Sequence, residues 1–100
     1  MHYSLLGPLH VVGDDGAPVV VSGRQLRLVL TVLLVSVGRR VTAESLMDAV
    51  WGDEPPATAT GTLQSYISRL RAHLGAGAVV WDDAGYRLDI DPDDVVHVRF

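Results

Sequence analysis

The chain contains no cysteine, which excludes disulfides, thiol catalysis and thiolate metal sites and fits a reducing compartment. It contains no lysine either, since all eight of its basic residues are arginine. That choice suits bidentate contacts but is equally the product expected of GC-rich coding. No long apolar run is present. The longest, Leu26 to Val37, is interrupted by Arg27, Thr31 and Ser36 and falls short of the ~20 residues a membrane span needs, so it reads as a buried helix. The N-terminus has no basic stretch leading into an apolar segment, and hence no visible secretory signal. These absences point to a cytoplasmic chain without a membrane segment. His2, His10, His73 and His97 show no metal-ligand spacing, and there is no glycine-rich phosphate loop ending in lysine. No metal, cofactor or catalytic centre is expected, and the chain does not read as an enzyme.

What is present is enough for one small core: 100 residues, 48% of them hydrophobic, suit a single compact domain. The net charge of −4 speaks against a nucleic-acid partner, because phosphate neutralisation dominates non-specific affinity. The average conceals a pattern. Residues 22–40 carry +4 and residues 58–75 carry +2, while 1–21 carry −2 and 41–57 and 76–100 carry −4 each. Basic and acidic surfaces are segregated along the chain.

Short β-branched runs, Tyr3 to Leu6, Leu9 to Val12 and Pro18 to Val21, alternate with Gly7-Pro8 and Gly13-Asp14-Asp15-Gly16, which predicts a small antiparallel sheet over residues 1–21. Ser22 and Gln25 have capping-box spacing, opening a first helix of about 15 residues that ends near Gly38. Thr42 is placed to cap a second helix running to about Val50, with Val41 and Leu46 as a hydrophobic staple. Trp51-Gly52-Asp53-Glu54-Pro55-Pro56 stops it, and a third helix spans about 58–75, closed by Gly75. Val79 to Trp81 and Tyr86 to Ile90, joined by the four residues Asp82 to Gly85, read as a β-hairpin.

At about 100° per residue, Leu63, Ile67, Leu70 and Leu74 form one stripe of the third helix. Gly61, Ser65, Ser68 and Ala72 project opposite, flanked by Thr58, Thr62 and Arg69. A merely solvated helix would carry long charged pairs. Small residues instead permit close approach to a groove floor, hydroxyls can donate to phosphates or bases, and an arginine such as Arg69 can reach a guanine edge. This helix carries no acid. Two helices followed by a glycine-tipped hairpin, with the last helix basic, form the winged variant of the helix-turn-helix.

Four strings carry a resemblance: LLGPLHVVGDDG (5–16), GRQLRLVLTVLLVSVGRRVTAESLMDAVWGDEPPATAT (23–60), TLQSYISRLRAHLG (62–75) and DDAGYRLDID (82–91). They are similar to the winged helices of response regulators of the OmpR/PhoB type, and more closely to the Streptomyces antibiotic regulatory protein (SARP) family of activators. The resemblance implies an α+β winged helix-turn-helix: an N-terminal antiparallel sheet (1–21), three helices (22–75) and a C-terminal wing (79–90), within a DNA-binding domain over 1–93. Residues 94–100 resemble the opening of a following helical, tetratricopeptide-like activation domain.

Carried over by position, Arg69 is the leading base-edge contact, with Ser65 and Gln64 as secondary readers. Thr58, Thr62, Tyr66, Ser68 and Arg71 belong to the DNA-facing set, four of them as phosphate contacts. Trp51 either donates its indole N–H to a phosphate or packs at a helix end, and Tyr66 fits packing with a wet hydroxyl. Tyr86 is expected to pack the wing, and Arg87 to touch the backbone. Related wings place an arginine in the minor groove where this chain has Asp82 and Asp83, so no direct contact is expected at the tip. The loop Trp51 to Ala57, with Asp53, Glu54, Pro55 and Pro56, would face the sigma or alpha subunit of RNA polymerase. The implied function is activation of antibiotic-biosynthesis genes from the nucleoid, by head-to-tail binding of tandem copies to a direct-repeat operator. The alternative is a winged helix used only for protein contacts, with its acidic surface as the working face.

Overall fold

In the computed structural model of the chain, residues 1–5 and 9–96 are described. Helix α1 (Arg24–Val35) carries the centre of the core, burying Leu26, Val29, Leu30, Leu33 and Leu34. Burial on this scale stabilises by about 1.5–3 kcal/mol per large aliphatic side chain. The capping box expected at its start does not form. Gly23, at φ 100°, is the cap residue and no side chain bonds the first turn, while the Gln25 amide oxygen accepts from the Tyr66 hydroxyl instead. The helix is also shorter than expected. It ends at Val35, where Ser36 caps the last turn and a turn through Gly38, at φ 79°, leads into strand β3 (Val41–Thr42).

Helix α2 (Ala43–Trp51) begins as its sequence predicts, with the Thr42 hydroxyl accepting from the Ser45 amide at 3.0 Å. Both halves of the predicted staple, Val41 and Leu46, are buried. Helix α3 (Ala59–Leu74) is closed by Gly75, whose N–H reaches the Arg71 carbonyl at 2.9 Å.

Two three-stranded sheets flank the helices. The wing is β4 (Val79–Asp82) and β5 (Gly85–Leu88), antiparallel, with β3 added on the far side of β5 through Val41↔Tyr86 and Thr42↔Gly85. Its loop is the two residues Asp83 and Ala84, not the four expected. Both have positive φ, 46° and 67°, the backbone twist that two-residue hairpin loops require.

The N-terminal sheet also departs from expectation. Strands β1 (His2–Ser4) and β2 (His10–Val12) pair antiparallel, but Pro18 to Val21 contributes only an isolated bridge, Val12↔Pro18, and the Val19 amide bond to Val11 at 2.8 Å. Past that point the chain turns inward: Val20 is exposed and Val21 enters the core. The third place in the sheet goes to β6 (Val95–Val96), which lies parallel to β1 after a 3-10 turn, Pro92–Asp94. The start of a following helical domain was expected at 94; residues 97–100 of that stretch, and Leu6, Gly7 and Pro8 of the first expected strand pair, lie outside the described residues. Among the described residues no helix is long and apolar enough to cross a membrane.

Candidate nucleic-acid interface

Helix α3 has one buried side, formed by Ala59, Leu63, Ile67 and Leu70. Thr60, Gly61, Gln64, Ser65, Ser68, Arg69 and Ala72 are exposed, as is the cap residue Thr58. The small, hydroxyl-bearing side predicted from the spacing is therefore open in the monomer. Thr62 is half-buried at its margin.

The two flanks of α3 are tied to the rest of the fold, and these ties redefine several candidate residues. On one flank Tyr66 stacks against Trp51 at the end of α2, ring centroids 6.4 Å apart and 20° from parallel, and donates its hydroxyl to Gln25 on α1. Arg69, the leading base reader, is exposed and makes one long bond, Nη2 to the Ser22 carbonyl at 3.4 Å. So weak a tether leaves its fork available. On the other flank Arg71 is half-buried and donates its Nε–H to the Val79 carbonyl at 3.0 Å. The bond pins the last turns of α3 to the first residue of the wing, and takes one of the five N–H donors of a side chain expected at a phosphate.

The wing's charges are paired within the wing and with the strand beside it. Arg87, expected at the DNA backbone, is half-buried between Asp82 (3.7 Å) and Asp89 (3.5 Å). Tyr86 packs the wing as expected, edge-on to Trp81 at 4.9 Å. Two residues that were not singled out from the sequence emerge here. Trp81 is 55% exposed and, with Met47, Thr60 and Gln64, lines an apolar cleft between α2, α3 and the wing. Arg40 reaches across from the residue before β3 to Asp83 at the wing tip. The sequence signal for Trp81 was its place in the first strand of the expected hairpin, but nothing local revealed that its ring is exposed.

The loop between α2 and α3 is fully exposed over Asp53, Glu54, Pro55 and Pro56. It is held at both ends by backbone bonds, Gly52 N–H to Asp48 at 2.8 Å and Ala59 N–H to Pro56 at 3.0 Å. Glu44 and Asp48, exposed on α2, extend the acidic character of this side. Among the described residues there is no cluster of side chains able to hold a metal ion.

Three helices packed on a β-hairpin, with the last helix bare on its outer face, define a winged helix-turn-helix of the kind used as the DNA-binding domain of transcriptional regulators. The family described as "Transcriptional regulatory protein, C terminal" matches residues 16–88, and the chain belongs to it. Among similar proteins are the regulatory protein AfsR of Streptomyces coelicolor, 38% identical over 88% of this chain and 9% of AfsR, and the regulatory protein DnrI of Streptomyces peucetius, 37% identical over 92% of this chain and 38% of DnrI. These agree with the SARP resemblance, and they are regulators rather than enzymes. The solved structure of Mycobacterium tuberculosis EmbR in complex with a low affinity phosphopeptide superimposes with a TM-score of 0.86 at 33% identity, covering 94% of this chain and 26% of EmbR. The DNA-binding domain of Bacillus subtilis CssR shares the fold, with a TM-score of 0.67 at 20% identity over 79% of this chain and 89% of that domain. The chain thus spans well under half of the length of AfsR, DnrI and the EmbR chain.

Proposed function

We propose that the chain binds double-stranded DNA in a sequence-dependent way, with α3 in the major groove and the wing beside it, as part of a transcriptional activator of antibiotic-biosynthesis genes acting at the nucleoid in the cytoplasm. The observation that carries this is the uncovered, acid-free outer face of α3. In this reading Arg69, Ser65 and Gln64 read base edges, and Thr58, Thr62 and Ser68 meet phosphates. Trp51, Tyr66, Arg71 and Arg87 position the helix and wing through the partners described above, with any DNA contact secondary to that. Supporting the reading are membership of a transcriptional regulatory family and similarity to Streptomyces regulators. Two copies would bind head to tail on a direct repeat, because one domain of this size covers a limited stretch of groove.

The test is a salt titration of binding to a duplex selected from a random pool. A DNA binder loses affinity as a power of salt that counts its phosphate contacts. The exposed acids Glu44, Asp48, Asp53 and Glu54 favour one alternative, a winged helix that meets only proteins; it predicts no duplex binding even at low salt. For the loop of Asp53, Glu54, Pro55 and Pro56 the proposed partner is the sigma or alpha subunit of RNA polymerase. Charge reversal of Asp53 and Glu54 should abolish activation while leaving DNA binding normal, and full activation by that variant would remove the assignment. A further helical domain is proposed to follow this one in the parent regulator.

A further inference from the structure

The wing tip carries two carboxylates where a phosphate-facing element should be positive, yet each faces a guanidinium. Asp82 lies 3.7 Å from Arg87, and Asp83 lies 3.2 Å from Arg40. The second pair joins distant parts of the chain. Arg40 Nη1 donates to both the backbone carbonyl and a carboxylate oxygen of Asp83, each at 3.2 Å. The Arg40 stem crosses the wing at Gly85, where an added Cβ would come within 2.6 Å of Arg40 Cγ and 2.7 Å of the Val41 carbonyl. The wing has a bare backbone at the place where this arginine passes.

The tip sits beside the first half of α3. Trp81, adjacent to the tip strand end, shares a cleft with Thr60 and Gln64, whereas the opposite end of β4 is bonded to Arg71 in the last turns of α3. The tip, and Arg40 bonded to it, therefore lie toward the first half of α3. Arg39, next to it, is also exposed.

We propose that Arg40 is a DNA-backbone contact of this domain, supplying the cation that the wing tip itself lacks, with Asp83 as an internal counter-ion that phosphate displaces. The inference rests on the DNA-binding reading. Its energetics follow from exposure: the side chains of Arg40 and Asp83 are 45% and 89% exposed, and an ion pair so wet adds little, so the exchange for a phosphate is readily reversible. Both bonds to Asp83 use one nitrogen of a group with five N–H donors, so the fork keeps donors to spare. Asp83 thereby taxes every sequence alike. It lowers affinity for duplex in general without touching the base readers on α3.

The test measures salt titrations of Arg40→Gln, Arg40→Lys, Asp83→Asn and the double variant Arg40→Gln/Asp83→Asn, on a labelled selected duplex and on a scrambled one of equal length. Arg40→Gln should weaken both duplexes by the same factor and make the log–log salt slope shallower by about 0.9, while Arg40→Lys keeps the slope. Asp83→Asn should tighten both duplexes by a few-fold, and that gain should vanish in the double variant. An Arg40→Gln slope equal to that of the unaltered chain overturns the proposal. So does an Asp83→Asn gain that persists without Arg40, which would make Asp83 a direct repeller of phosphate. If Arg40→Gln fails to fold, Arg40→Met takes its place in the slope comparison and in the double variant, with the same outcomes deciding. Absence of any salt-dependent duplex binding by the unaltered chain would defeat the functional reading as well, and so is distinguishable from failure at Arg40.

Discussion

Replacing Arg71 by methionine separates holding the reading helix from touching DNA. Methionine keeps an apolar stem against the neighbouring residues but removes the Nε–H that reaches the Val79 carbonyl at 3.0 Å. A hydrogen bond from a charged donor contributes about 1.5–3 kcal/mol. Arg71 is only half-buried, so water partly replaces the lost donor, and the low end applies: about 1–2 kcal/mol. For a domain of this size, at about 4–8 °C per kcal/mol, the melting temperature should fall by roughly 4–16 °C. Urea denaturation should show a lower midpoint with an unchanged slope, because the surface exposed on unfolding is the same. Salt titration of duplex binding, run well below both melting temperatures, should give the slope of the unaltered chain. A variant with unaltered stability whose salt slope drops by about 0.9 would refute the reasoning and return Arg71 to the phosphates.

Arg69→Ala should cost about 1–3 kcal/mol on the selected duplex and relax preference at one base pair; equal loss on all sequences would reassign Arg69 to a phosphate. Ala84→Gly should raise the melting temperature slightly. A left-handed residue costs about 1–2 kcal/mol and glycine's extra freedom when unfolded gives back about 0.4–1 kcal/mol, so a lower melting temperature would mean that Ala84, at φ 67°, is not strained. Leu70→Ala, at a fully buried position of α3, should destabilise by about 2–5 kcal/mol, measured by urea denaturation. A loss below about 1 kcal/mol would show that α3 is not anchored by this stripe.

The elements legible in the sequence were those whose determinants are local. Thr42 caps α2 because hydroxyl, amide and spacing all lie within four residues, and the buried stripe of α3 follows from helical periodicity alone. The open side of α3 was legible for the same reason. What escaped depended on partners far along the chain. Gln25 sits at capping-box spacing, but the Tyr66 hydroxyl on another helix claims its amide. Strand β3 is two residues long, too short for alternation to register, and exists because β5 offers it an edge. Arg71 and Arg87 had the composition of phosphate contacts, but their bonding to Val79, Asp82 and Asp89 could not be inferred from spacing. The ion pair between Asp83 at the wing tip and Arg40 joins residues too far apart in the chain for spacing to reveal it.

The parallel pairing of β1 with β6 sets an order of events during synthesis. Tyr3 and Ser4 find their partners Val95 and Val96 only after the three helices and the wing have been made, so among the described residues this pairing closes the largest loop and carries the greatest entropic cost of closure. The three helices and the wing involve shorter separations and can assemble earlier. Until Val95 emerges from the ribosome, one edge of the amino-terminal strand stays unpaired, a surface on which a nascent chain is most exposed to mispairing.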